Sequence, residues 1–545
     1  MTRVLWMPIL GLAALAMTGC GPAGSGGRAP IGGESGTELA EEQVIHWGNG
    51  ADPGTLDPQK GRGVPGSNIQ RDLFEGLIAE APNGDLIPGV AETWDVSEDG
   101  LTYTFHLRED ARWSNGDAVT AEDFVFGLRR AADPATLSEY SFIVAPILNA
   151  EAITAGDLPP EELGVRAIDE RTLEIGLRGP TPYFLGLLSH PVTYPVHRPS
   201  LEEHGVRFTR PGNLIGNGAY TLVEAVVQSH VRLERNPYYW DDESTTIDVV
   251  YHHATEDTTA ELKRYRADEL DATYFIPKAQ LPWIRENLPD ELTIAPYLGS
   301  YYYGFNLTKP PFKGNLALRR ALALAIDREI ITKQITNAGE IAAFGFVPPV
   351  NNYEGQQMPE AAWSQQERET EARRLYLDAG YSPENPLRVE LLYNTQDDHR
   401  RIAVAVASMW RRVLGVQTEI VNQEWKVYLD TRTQKEDTQV FRAGWIGDYN
   451  DAYTFAELPL SDSGLNDFGY DSEEYDALVA KAGMELDMQT RAGYLQEAER
   501  VLLDDMPLIP IYFYVTAKMV KPWVDGYEPN IMDHYRSQDV RILKH

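Results

Sequence analysis

Cysteine is nearly absent: one residue, Cys20, stands in a chain of 545. A single thiol excludes intrachain disulfides and cysteine-based metal sites in the body of the protein. Basic residues are scarce as well, with 48 Lys and Arg against 82 Asp and Glu, for a formal net charge of -34. A field of that sign repels polyphosphates and excludes nucleic acid as a partner. The charges are interspersed, as in Glu367-Arg368-Glu369, which describes a solvated acidic surface of the kind high salt would favour. The sequence also lacks a Gly-x-Ser-x-Gly elbow, a His-Glu-x-x-His helix and a Walker lysine, which argues against an enzyme. No long apolar run follows the N-terminal one, so no second membrane span is expected.

The N-terminus carries an address. Arg3 precedes an apolar run from Val4 to Met17, short for a membrane span, which ends in Met17-Thr18-Gly19-Cys20. This ending resembles a lipobox, in which the thiol of Cys20 takes a diacylglycerol and becomes the mature N-terminus. Met17 stands where such signals usually carry Leu or Val. A plain secretory signal with an incidental cysteine is the alternative, but a thioether would protect the lone thiol of an exported protein from oxidation. The expectation is a signal peptide over 1–19, a lipidated Cys20 with a flexible Gly-rich tether over 20–41, and an extracytoplasmic, membrane-anchored body.

Strand and helix signals then alternate, the mark of an α/β architecture. Tyr103-Thr-Phe-His-Leu107 and Leu173-Glu-Ile-Gly-Leu177 have the period of half-buried strands. Leu318, Leu322, Ala325, Ile326 and Ile330 follow helical spacing, with Arg319, Arg320, Asp327 and Arg328 on the opposite face. A second helix is expected after Asp471 as N-cap, and a third from about Gln365 to a stop at Gly380. No proline or glycine cluster is long enough for an interdomain linker, as when domains interleave in sequence.

Few motifs carry reaction chemistry. Ser461-Asp-Ser-Gly464 lacks the glycine of a protease nucleophile loop and reads as a turn. Asp95-Val-Ser-Glu-Asp99-Gly100 begins like a calcium loop, but its twelfth position is His106, so a hairpin turn is expected. His252 and His253 are adjacent and point to opposite faces of a strand, which suits no shared metal. Arg442-Ala-Gly-Trp445-Ile-Gly-Asp448-Tyr449-Asn450 differs: a carboxylate beside aromatics, with glycines admitting close backbone approach, suits an ammonium group, although a surface loop with a packed Trp would read the same.

Seven segments in collinear order carry a resemblance. They are Leu56-Asp57-Pro58, Asn68-Ile-Gln-Arg-Asp-Leu-Phe-Glu-Gly-Leu77, Gly89-Val-Ala-Glu-Thr-Trp94, Asn217-Gly-Ala-Tyr220, Leu233-Glu-Arg-Asn-Pro237, Asn422-Gln-Glu-Trp425 and Arg442 to Asn450. Together they resemble the family 5 extracellular solute-binding proteins, oligopeptide-binding type, from about Glu42 to His545. The resemblance implies a class II periplasmic-binding-protein fold with two lobes. Residues 42–76, 201–300 and 516–545 would form the first, 77–200 an additional domain of that lobe, and 301–515 the second. It implies a monomeric receptor without cofactor that captures short peptides and delivers them to ABC permease subunits in the membrane. By position, Asp448 would receive the peptide α-amino group, and Arg432, Arg442 and His399 its C-terminal carboxylate. Trp425, Trp445, Tyr140, Tyr302 and Tyr514 would line the cleft, and backbone groups of Val64, Gly444 and Ile446 would pair with the ligand. Arg62 and Thr336 stand where a glutamate and a lysine are expected, and Gly299 and Ile446 where the enterobacterial type carries a cysteine pair, so length and charge preference stay open. A murein-peptide receptor or sensor is the neighbouring reading, and a secreted hydrolase on a similar scaffold the distant one.

Overall fold

The computed structural model describes residues 37–61, 63–350, 353–436 and 438–545. The expected signal peptide, Cys20, most of the tether and Arg62 lie outside them. Leu39 and Ala40, at the end of the expected tether, are docked instead: Leu39 bridges Leu543, and Ala40 N–H donates to the Ile542 carbonyl at 2.9 Å. Backbone pairing with the chain's own C-terminus thus begins before residue 42.

One four-stranded sheet runs in the order Val44–Gly48, Val249–His253, His230–Arg235, Tyr220–Val226. A second, antiparallel, is Ala91–Val96, Thr102–Leu107, Thr172–Gly176, Val165–Ala167, covered by the helix Ala121–Ala132. That helix starts on a capping box in which Thr120 and Asp123 exchange hydrogen bonds. Its Arg130 clamps Asp57 with Nη1 at 2.6 Å and Nη2 at 2.5 Å, tying the second sheet to the first. The largest sheet has six strands, in the order Ile341–Ala342, Leu508–Met519, Leu292–Phe305, Val440–Ile446, Arg388–Asn394, Gln417–Gln423.

Two long strands connect these bodies. Leu292–Phe305 and Leu508–Met519 pair antiparallel, with a register shift between Pro296 and Ser300. Proline cannot donate to the ladder, so the interruption falls beside it. On the Pro296 side, Thr273 N–H donates to the Met519 carbonyl at 2.9 Å, and Ala272 bridges both Trp47 and Val520. Beyond Ser300 the same two strands run through the middle of the six-stranded sheet. Two lobes joined by a strand pair, with an added sheet on the first, is the class II architecture that the resemblance implied.

The expected strands are present as Thr102–Leu107 and Thr172–Gly176, and the third helix as Gln365–Asp378 with Gly380 at φ 90°. Ser97 and Gly100 close the hairpin turn before Thr102. The second helix is capped one residue later than expected, by Ser472, whose hydroxyl accepts from Tyr475 N–H at 3.4 Å. The helix through Leu318 is interrupted. It ends at Leu324, and Asp327 caps a new turn that continues as a π-helix over Ile331–Thr336. Arg319 and Arg328, expected on the solvent face, are buried. Their guanidinium groups satisfy buried carbonyls: Arg319 those of Phe312 and of Asp505 and Met506 at the end of another helix, Arg328 those of Ala323 and Ile326 at the interruption and of Pro510 in the neighbouring strand.

Helix Asp397–Leu414 is fixed in the second lobe by Trp410, fully buried, with Nε1 donating to the Leu322 carbonyl at 2.9 Å. Trp410→Ala is expected to destabilise that lobe by about 3–5 kcal/mol, read as a lower urea midpoint. The same helix carries His399 on its first turn.

Candidate functional site

Alternation along Val440–Ile446 sorts the candidate residues onto two faces. The register opposes Gly299 to Ile446, Tyr301 to Gly444 and Tyr303 to Arg442, while Ser300 faces Trp445 and Tyr302 faces Ala443 on the other side.

Arg442 organises the first face. Its guanidinium lies 4.7 Å from the Tyr301 ring centroid, Nη2 donates to Tyr514 Oη at 2.7 Å, and Nη1 approaches Asn394 Oδ1 at 3.4 Å. No carboxylate pairs with it among the described residues, and its buried Nε has no partner. His399 stands beside it, the imidazole 5.6 Å from Tyr301 and its buried Nδ1 also unpartnered. Burial first, then the positive charge of Arg442, lower His399 to about 3, so its ring is neutral at ordinary pH. The buried Arg442 Nε–H without an acceptor is costly, and a ligand carboxylate would relieve it, joined by His399 in its Nδ1–H tautomer. Gly444 keeps this space open: a Cβ there would lie 2.7 Å from Tyr514 Oη.

Asp448 follows two residues after the strand. The loop is held by Gly447 N–H, which donates to the Leu298 carbonyl at 2.8 Å; a Cβ on Gly447 would meet Leu298 Cδ2 at 2.5 Å. Asp448 is half-buried and, among the described residues, has neither a cation nor a hydrogen-bond donor against it. Burial pushes its carboxyl up to about 6. The site thus offers an uncompensated acid at one end of a strand segment and an uncompensated guanidinium at the other. Arg442 and Ile446 are separated by roughly 13 Å of extended chain.

The model of bacterial extracellular solute-binding proteins, family 5 Middle, matches residues 85–467. The chain belongs to that family.

Its relatives include the periplasmic oligopeptide-binding protein OppA of Escherichia coli (strain K12), 42% identical over 516 residues, 94% of each chain. Among solved structures, the periplasmic murein tripeptide binding protein MppA in its unliganded open form superposes with a TM-score of 0.83 at 39% identity, covering 94% of this chain and 99% of that one. Haemophilus influenzae OppA in complex with RPPGFSPFR gives a TM-score of 0.78 at 38% identity, covering 93% and 100%.

The other positions that the family resemblance singled out are dispersed. Ile446 and Gly299 are direct cross-strand partners, and a Cβ on Gly299 would lie 2.4 Å from Ile446 Cδ1. The isoleucine therefore fills the space of the missing cysteine pair. Trp445 Nε1 donates to Thr454 Oγ1 at 3.1 Å, on the face away from Arg442. Tyr302 is on that face too, 2% exposed and packed on Phe346 and Phe468, so it belongs to the core and does not line a cleft in this structure. Arg432 is committed: Nε donates to Asp467 Oδ2 at 2.8 Å, and its guanidinium lies over the Tyr428 and Phe441 rings. Trp425 opens the helix Trp425–Gln434 at 51% exposure and stacks on Tyr428. Tyr140 stacks on His190 in the added sheet's body, and Val64 begins the helix Val64–Leu73. His252 is buried on Asp72 while His253 meets His46, consistent with opposite faces of the strand.

Sequence reading missed Tyr301, Asn394 and Lys278. Thr336 has no lysine's charge, but Lys278 Nζ reaches Glu340 Oε1 at 3.2 Å and Asp398 Oδ2 at 3.3 Å, next to His399. It brings a lysine to that end of the site from a distant segment, already paired with both carboxylates. Nothing in the local sequence of any of these three signalled it.

Proposed function

We propose that the protein is the substrate-binding receptor of an ABC importer, which takes short peptides in extended form between its lobes and delivers them to a membrane permease. The observation that carries this reading is Asp448, an acid held half-buried with no cation against it among the described residues, just past a strand whose Arg442 meets no carboxylate among them. A zwitterionic peptide completes both, and its backbone can pair with Gly444, Ile446 and Val64 as an added strand would. The relatives named for oligopeptide binding support the ligand class, and a binding protein rather than an enzyme is the role their names share. Residues 42–76, 201–300 and 516–545 would be the first lobe's core, 77–200 its added domain and 301–515 the second lobe. Anchoring through an acylated Cys20 would hold a monomeric receptor near its permease. Calorimetric titration of the purified protein with a short-peptide pool should show uptake, and mass spectrometry of what binds should return peptides. Failure of any peptide to bind would overturn the reading.

The similarity to MppA supports a second ligand of the same class, a murein peptide with a γ-linked D-residue. Competition of such a peptide against an ordinary tripeptide decides between them.

Binding should depend on pH in a stated direction. With its carboxyl raised to about 6, Asp448 is charged at pH 7.5 and mostly protonated at pH 5. The raised value means that the empty protein's stability from this group is complete below the unfolded carboxyl range and is lost as pH rises through about 6. An ammonium ligand reverses that loss. Peptide affinity is therefore expected to fall roughly tenfold from pH 7.5 to 5, with proton release on binding near pH 6 seen in buffers of different ionisation enthalpy.

A further inference from the structure

Beside Asp448 stands a second acid that a peptide's α-amino group leaves unmatched. Glu457 lies just past the short helix Tyr453–Ala456, where its N–H donates to the Tyr453 carbonyl at 3.0 Å, and its Oε1 accepts from Tyr449 Oη at 3.4 Å. The wall here is aromatic and comes from both lobes. Tyr183, from the added sheet's body, stacks on Tyr449 at 5.2 Å and on Tyr453 at 4.7 Å between centroids. Asn450, in the same loop, has a buried Oδ1 with no donor against it.

The nearby cations are already taken. Arg491 makes a two-pronged pair with Asp451, both bonds 2.8 Å, and Arg178 pairs with Glu151 at 2.6 Å. Among the described residues no cation pairs with Glu457. Its hydrogen bond from Tyr449 ties it to the residue next to Asp448, and burial foremost, with the charge of Asp448 after it, pushes its carboxyl up to about 8. An α-ammonium on Asp448 removes the repulsion that helps keep Glu457 protonated, and a second cation at Glu457 would draw off its proton. The acceptor set left over, a carboxylate and an amide oxygen beside tyrosine faces, is the chemistry that holds a second ammonium or a guanidinium.

We propose that Glu457 is a second cation-binding group of the cleft and selects peptides whose first residue has a basic side chain. The inference rests on the assignment of Asp448 to the α-amino group.

The test titrates the full chain with Lys-Ala-Ala and with norleucine-Ala-Ala, whose first side chains differ by the terminal ammonium. The lysine peptide should bind about 10- to 100-fold more tightly, the worth of one charge-assisted hydrogen bond. In Glu457→Gln that ratio should fall to about twofold or less. Glu457→Lys should reverse the preference, taking Glu-Ala-Ala above Lys-Ala-Ala. Equal binding of the lysine and norleucine peptides by the unaltered protein overturns the inference and leaves the peptide receptor standing, as does a preference that survives in Glu457→Gln. If no tripeptide binds, both readings fall together.

Discussion

Asp448→Ala should weaken the binding of a short peptide by about 100- to 1,000-fold, because it removes one partner of a desolvated ion pair and leaves the other without compensation. The half-buried position of Asp448 decides the size of the effect. An exposed pair of the same charges is worth about 1 kcal/mol or less, too little for a receptor to depend on. Here burial raises the carboxyl to about 6 in the empty protein, so an incoming ammonium relieves an existing cost as well as making a contact. N-acetylation of the peptide should reproduce the loss in the unaltered protein. The two changes together should cost little more than either alone, because both delete the same interaction. Acetylated and free peptides binding the unaltered protein equally well would remove Asp448 from its role.

Much of this was legible in the sequence wherever a local pattern encoded it. The alternation at Tyr103–Leu107, the stop at Gly380, the hairpin turn at Gly100 and the segment Arg442–Asn450 all depend on neighbours a few residues apart. What failed to show depends on pairings between distant segments. Arg319 and Arg328 look like solvent-face residues until the fold brings carbonyls of distant segments, Asp505 and Met506 for the first and Pro510 for the second, against them. Arg432 and Arg442 are alike in sequence, ten positions apart, and only the fold tells them apart. Asp467 neutralises the first, while the second meets, among the described residues, tyrosines, an amide and a neutral imidazole. Tyr302 and Tyr301 are adjacent, and the strand register alone decides which of them joins the Arg442 face. The surroundings of Thr336 are a further case, since Lys278 pairs with the Glu340 that Thr336 also bonds, from a segment 58 positions earlier, a spacing that no motif records.

That difference between the two arginines sets the second large effect. Arg442→Met keeps much of the side-chain stem and deletes the guanidinium, and should weaken a free tripeptide by about 100-fold or more, since a ligand carboxylate would then be buried without its cation. The same peptide as a C-terminal amide should bind the unaltered protein as weakly as the free acid binds the variant, and should lose little further on the variant. Arg432→Met should behave otherwise. Its guanidinium already serves Asp467, so removing it strands a 7% exposed carboxylate inside the second lobe, and the loss should appear mainly in the unfolding midpoint. If instead Arg432→Met abolished peptide binding without lowering stability while Arg442→Met left binding intact, the carboxylate end of the cleft would lie on the opposite face of the sheet. Tyr302, which shares that face, would then return to the ligand's side. The pair of variants therefore tests more than two side chains: it decides which face of the central strand the peptide follows.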